Sequence, residues 1–387
     1  MKNKKKREKT RNKKIKVYLQ FPWKFTDSSY YKYLLTDSPK NIEYLNTSAS
    51  KGVITNKKKF LSAHKTKHLI KKIIKNLKIP IPNAHLTKTK KEFDIIHGAH
   101  CLSLHRFKPW VTDIEEANQF YVGNKNKLTI KIVKKILNRK NCKRIIAWTE
   151  WSKKNILKDF PELKNKIEVV YPAMPVYFNK KRNQEIKKQK KDKINLLFVS
   201  RRFYFKGGLQ AVELMDRITK KHKNVNAIII SDTPKEILKK YGKNKKIKFS
   251  PLISQDKIFN EIYPKTDIII YPAFTDTFGF VNLEALSFGI PLIGVKGHCN
   301  EEIIENGKTG YLVKFPEKKV CKENLYTLKT WGGELKEMQK ATEKLIKNKK
   351  FRDEISNNCI KELKYGKFSI RERNKRLKIM YQNAVER

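Results

Sequence analysis

Asp267-Ile-Ile-Ile-Tyr-Pro-Ala-Phe-Thr-Asp276-Thr-Phe-Gly-Phe-Val-Asn-Leu-Glu284 decides the fold. Its first part is short, β-rich and unbroken, as expected of a strand covered on both faces of a parallel sheet. Val281 to Phe288 reads as a helix that Gly289 stops, and Pro291 opens the next strand at Leu292-Ile293. Asp276 and Glu284 therefore flank a strand-to-helix turn at the carboxyl end of a strand. Open α/β sheets bind ligands there, and the first amides of a helix hold anions. One carboxylate in the loop and one in the helix suit paired hydroxyls, such as those of a sugar and a ribose. That outlines a sugar-nucleotide site.

A second segment supports the first. Asn195-Leu-Leu-Phe-Val199 is another buried-strand run, followed by Ser200-Arg201-Arg202-Phe-Tyr-Phe-Lys206-Gly207-Gly208. A helix pattern then begins, with Leu209, Val212, Leu214, Met215 and Ile218 as its apolar positions. Arg201 and Lys206 stand at the mouth of the strand, where an arginine fork and a lysine point charge neutralise a diphosphate. The glycine pair lets the backbone approach a ligand closely. Two basic residues mean little in so lysine-rich a chain; their place between a strand and a Gly-Gly helix start sets them apart.

Together the two segments resemble the C-terminal domain of glycosyltransferases of family 4. Arg201 to Gly207 matches that family's Arg-x4-Lys-Gly, and Asp276 to Ala285 its Glu-x7-Glu segment. Gly289-Ile-Pro291, Glu302 and Gly307-Lys-Thr-Gly-Tyr-Leu-Val313 continue the match in order. The resemblance implies an α/β chain of GT-B type, two Rossmann-like domains facing a central cleft, with a C-terminal crossover helix. It also implies retaining transfer of a sugar from a nucleotide-diphosphate donor, UDP- or GDP-type, to a glycan, lipid-linked or other hydroxyl acceptor. In that scheme Arg201 and Lys206 take the diphosphate charge with the amides around Phe278, Gly279 and Phe280. Glu284 accepts from ribose hydroxyls and Asp276 from donor-sugar hydroxyls. No cofactor or metal is required, and no Asp-x-Asp segment of the metal-dependent kind is found. The chain departs from the family in having Asp276 for the usual Glu, and His298-Cys299 for the usual Gly-Gly. Both departures bear on donor-sugar identity.

The first half is less specific. Asp94-Ile-Ile-His97-Gly98 resembles the family's strand ending in Asp-x-x-His, which would turn His97 to the cleft near the acceptor. A hydrogen-bonded histidine at a strand end fits equally. Asp113, in Trp110-Val-Thr-Asp113-Ile-Glu-Glu116, stands where relatives have a His-acid pair. Two roles are open to it, a polar group near the reacting carbon or a helix N-cap. Thr149-Glu150-Trp151-Ser152 resembles the family's strand-to-helix segment and marks the fold.

Length and composition frame these readings. The 387 residues suffice for two domains, and 20 Phe, 16 Tyr and 5 Trp argue for a folded enzyme. The organisation expected is a basic tail (1–14), an acceptor domain (15–178), a charged linker (179–193), a nucleotide-sugar domain (194–365) and a last helix (366–387) that returns to the first domain. Strands of the first domain are expected at Val17–Phe21, Ile42–Leu45, Phe93–His97, Trp110–Asp113, Arg144–Trp148 and Glu168–Tyr171. A net charge of +52 attracts anionic partners of every kind. No helix-turn-helix, zinc or RNP signature accompanies it, so no specific nucleic acid is expected. Five scattered cysteines lack metal or disulfide spacing and fit a reducing compartment. The basic N-terminus has no apolar signal core, which points to the cytoplasm. Lys67 to Lys78 carries an apolar stripe rimmed by lysines, open to two readings: packing on the sheet, or peripheral contact with an anionic membrane. The competing functions are a nucleic-acid-binding or non-catalytic GT-B relative, and a sugar-nucleotide epimerase of the same fold.

Overall fold

The structure, a computed structural model, describes residues 14–22, 28–49, 69, 72–74, 76–77, 79–179, 185, 193–273, 275–315 and 331–386. They divide into two units. One takes the described residues up to Ala173 together with Lys367 onward, and the other is Met174–Gly366.

The first unit is built on β1 (Ile15–Gln20), β2 (Ile42–Leu45), β3 (Ala84–His85), β4 (Ile95–Ala99), β5 (Leu102–Ser103), β6 (Trp110–Ile114), β7 (Cys142–Ala147) and β8 (Ile167–Val169). Six of these form a parallel sheet in the order β2-β1-β4-β6-β7-β8, and β3 pairs with β5 apart from it. The expected strands fall on these six within a few residues. β4 and β6 are buried along their whole length, as strands covered on both faces of a parallel sheet are, and they carry His97, Thr112 and Asp113 among their apolar residues. Helices α1 (Ser29–Thr36), α2 (Lys127–Leu137) and α3 (Glu150–Asp159) connect the strands. α3 starts at Thr149, whose hydroxyl accepts from the Ser152 amide at 2.9 Å, so this pair caps a helix. The chain's last helix, Ile370–Glu386, packs on β4 and β7 and buries Leu377, Met380, Tyr381 and Ala384, spaced as one helical stripe.

The second unit holds β9 (Ile194–Ser200), β10 (Val225–Ser231), β11 (Ile247–Ser250), β12 (Ile268–Tyr271), β13 (Leu292–Val295) and β14 (Gly310–Val313). The sheet is parallel, in the order β11-β10-β9-β12-β13-β14. Counted along the unit this is 3-2-1-4-5-6, the doubly wound dinucleotide-binding order, which reverses between β9 and β12. Its helices are α4 (Gly208–Lys221), α5 (Lys235–Tyr241), α6 (Phe280–Ser287), α7 (Asn300–Ile303), α8 (Gly332–Lys347) and α9 (Lys349–Tyr365). Gly289 ends α6 as expected: it takes φ 66°, and the Ile290 amide reaches back to the Ala285 carbonyl at 2.8 Å.

The chain joins the second unit at Met174, ahead of the charged stretch. The Tyr177 and Phe178 amides donate to the Ser287 carbonyl at 3.0 and 2.9 Å, and Tyr177 stacks on Phe288. Residues 180–184 and 186–192 of the charged stretch lie outside the described residues, as does half of Lys67 to Lys78. Leu69, Ile73 and Leu77 of that stripe are described and are exposed. Among the described residues no helix is long and apolar enough to cross a membrane.

Candidate active site

The two marked loops of the second unit meet at the switch point of its sheet. β9 ends at Ser200, whose hydroxyl accepts from the Arg202 amide at 3.0 Å and turns the chain away from the sheet. Arg201 sits half-buried at this mouth. A short turn, Tyr204–Lys206, follows, and then Gly207 at φ 75°. A Cβ on Gly207 would lie 2.1 Å from the Pro272 carbonyl oxygen. The backbone approach that this glycine permits is therefore to the segment leaving β12, where a ligand contact was expected. It lays the basic loop directly on the acid loop.

The contact between the loops is ionic. Lys206 Nζ lies 3.0 Å from Asp276 Oδ2 and donates to the Thr275 carbonyl at 2.7 Å. The side chains are only 16 % and 11 % exposed, so the pair is poorly screened. Tyr271, the last residue of β12, donates to the same Asp276 oxygen at 3.0 Å. Burial, and then the Asp276 charge, push the Tyr271 phenol well above its ordinary range, so it remains a donor. Gly279, at φ 71°, begins α6, and a Cβ there would come 3.0 Å from Asp276 Oδ2. Phe278 is buried, and Phe280 follows as the first residue of the helix.

Glu284 lies on α6, 8 % exposed. Its two oxygens accept from Tyr263 OH at 2.5 Å and from Gln255 Nε2 at 3.0 Å. These two bonds orient the carboxylate. Beyond β13 the chain turns through His298 at φ 50°. Cys299 is fully buried, and its Sγ donates to the Phe278 carbonyl at 2.9 Å and the Asp276 carbonyl at 3.4 Å. Asn282 Nδ2 bonds Asn300 Oδ1 at 3.0 Å, a second tie between α6 and this turn.

Asp113 and His97 lie in the first unit, both fully buried. Tyr381 of the last helix bonds His97 Nδ1 at 2.6 Å, and His97 Nε2 lies 3.6 Å from Asp113 Oδ2. Asp113 belongs to β6 rather than to a helix N-terminus. It accepts from Tyr31 OH at 2.8 and 2.9 Å and from the His100 amide at 3.0 Å. Burial pushes its carboxyl up, but His100, His97 and the His100 amide bond outweigh it and hold the group below the usual range. His100 escaped the sequence reading. It is 19 % exposed, sits at φ 54°, and its ring nitrogens lie 3.7 Å from Asp113 and 3.5 Å from Glu115.

Of the expected residues, then, Lys206, Asp276 and Gly279 are brought together, with Arg201 at the same strand mouth and Glu284 on the same helix. Sequence reasoning also missed Tyr271, Tyr263 and Gln255, which hold the two acids. Tyr271 closes a strand run directly before Asp276, a legible signal; Tyr263 and Gln255 carry none.

Two parallel α/β units, the second in the doubly wound strand order, have the architecture of the GT-B fold. The crystal structure of Anabaena Alr3699/HepE in complex with UDP-glucose superposes with a TM-score of 0.61 at 12% identity, covering 95% of this chain and 100% of that one. Residues 179–345 match the family described as glycosyl transferases group 1, and the chain is a glycosyltransferase carrying this domain. An uncharacterized 41.2 kDa protein in the cps region of Klebsiella pneumoniae is 27% identical over 282 residues, 70% of this chain and 71% of that protein. The gpi3 subunit of the phosphatidylinositol N-acetylglucosaminyltransferase of Schizosaccharomyces pombe is 26% identical over 129 residues, 32% of this chain and 28% of its own length.

Proposed function

We propose that the protein is a retaining glycosyltransferase of family 4 that moves a sugar from a UDP- or GDP-type donor to a glycan or lipid-linked hydroxyl. The observation that carries this reading is the Lys206–Asp276 contact, 3.0 Å long, beside the amino end of α6 at the switch point. Lys206 and Arg201 take the charge of the departing diphosphate, with the amides at Phe278, Gly279 and Phe280. Fixed donors of this kind act where negative charge grows during transfer. Glu284, oriented by Tyr263 and Gln255, accepts from the ribose, and Asp276 from the donor sugar. The scheme needs no metal. His97 and Asp113 form a buried support on the acceptor side, with the partly buried His100 beside them.

The relative named for UDP-glucose supports the donor class, and the one named for phosphatidylinositol supports a lipid-linked acceptor. Exposed Leu69, Ile73 and Leu77, among lysines, favour peripheral contact with an anionic membrane on the cytoplasmic face. Heat stabilisation of the purified protein by UDP-, GDP-, ADP- and CDP-sugars tests the donor site. One nucleotide class should raise Tm, and Arg201→Ala and Glu284→Ala should each abolish the rise. A rise unchanged in both variants would place the donor elsewhere.

A further inference from the structure

We propose that His298 selects the donor sugar, reading one hydroxyl beside the one held by Asp276. This rests on the donor-site reading above and concerns the sugar half of that site.

Three observations carry it. The first is backbone conformation. His298 takes φ 50°, a left-handed conformation that glycine adopts freely and other residues resist. Such outliers persist where the surrounding structure holds them, and they gather at binding and catalytic sites. The second is placement. Cys299 Sγ donates to the carbonyls of Phe278 and Asp276, so the turn carrying His298 is fastened to the acid loop itself. On its other side Gly297, at φ 122°, has open space where a Cβ would stand. The turn thus faces room on one side and the acid loop on the other.

The third is chemical. The imidazole is half-buried and interacts electrostatically with both Asp276 and Lys206. Burial lowers its pKa most, Lys206 adds to that, and Asp276 opposes without prevailing, so the ring is neutral at pH 7. A neutral imidazole offers one donor and one acceptor. Asp276 only accepts and Lys206 only donates. A sugar hydroxyl that must do both is therefore matched by His298 alone among these three. Sites that hydrogen-bond a substrate hydroxyl discriminate strongly against analogues that misplace it.

The test compares wild type, His298→Gly and His298→Asn. Dissociation constants are measured for UDP and GDP, and for UDP-glucose, UDP-galactose, UDP-N-acetylglucosamine and GDP-mannose. In His298→Gly the affinity for the free nucleotide should change less than about twofold. The preference for the best sugar over its nearest epimer should fall about tenfold or more. Without ligand, Tm should hold or rise, because glycine accepts the positive φ. Asparagine tolerates that φ and keeps a donor–acceptor pair, so His298→Asn should restore part of the preference. An undiminished preference in His298→Gly would overturn the inference. So would equal loss of nucleotide and sugar binding in both variants, which would make His298 a support for the whole loop. If no nucleotide binds the wild-type protein, the donor-site reading falls and this inference with it.

Discussion

Asp276 and Glu284 are each held by partners of their own, and this makes single substitutions in the second unit informative. The contact that aligns the loops depends on Gly207. An alanine there must accept φ 75° and displace the Pro272 carbonyl, 2.1 Å from the new Cβ. Strain of this kind costs about 1–3 kcal/mol. Gly207→Ala should therefore lower urea-measured stability by roughly that amount and weaken nucleotide binding as well; a stable variant with normal binding would contradict this packing. In the first unit Asp113 governs a pH dependence. Its folded pKa lies below the unfolded value of about 3.9, so the unfolded chain binds the proton more readily. The stabilisation is present above that value and is lost as pH falls through the folded pKa. Tm of the wild type should thus drop below about pH 4 more steeply than that of Asp113→Asn, and parallel curves would remove Asp113 from the account. Arg201, Lys206, Asp276 and Glu284 were legible because each stands in a short local pattern next to a strand. His97 was placed but not partnered, since Tyr381 lies 284 residues away. His100 left no trace, because what makes it notable is the pairing of Ala99 with Asp113 across two strands.

Most elements were legible for a similar reason. Apolar residues fill most buried positions of the six principal strands of the first unit, which is why these were placed within a few residues. β3 and β5 escaped because two-residue strands have no period to read. The last helix was expected from its stripe, and its polar role was not. Tyr381 is fully buried and joins three elements, bonding His97 Nδ1 on β4 at 2.6 Å and Tyr44 OH on β2 at 3.2 Å. Removing a buried hydroxyl leaves its partners unsatisfied, at about 1–3 kcal/mol. Tyr381→Phe keeps the ring and its packing. It should lower stability by that amount and speed amide exchange in the last helix and β4, without altering nucleotide affinity in the second unit. Unchanged exchange in the last helix and β4 would show that the tie has been misjudged.

At the scale of the whole molecule, a net charge of +52 will bind any polyanion, so binding alone says little about function. Salt separates the two kinds of contact. Binding to nucleic acid through exposed lysines releases counterions and falls about 10³–10⁵-fold between 50 and 200 mM salt for six to ten phosphate contacts. The proposed nucleotide site is built differently. Lys206 is 16 % exposed and already paired with Asp276, and Glu284 is fixed by two hydrogen bonds in an 8 % exposed position. Poorly exposed charges and hydrogen bonds are screened far less than surface ions. Anisotropy with a labelled DNA oligonucleotide should therefore show binding that vanishes by about 500 mM salt. Heat stabilisation by the preferred nucleotide sugar, in the same buffers, should persist with less than about a tenfold loss of affinity. A parallel collapse of both would mean that the nucleotide is held by general surface charge, and the built site at the switch point would lose its claim to be the donor pocket.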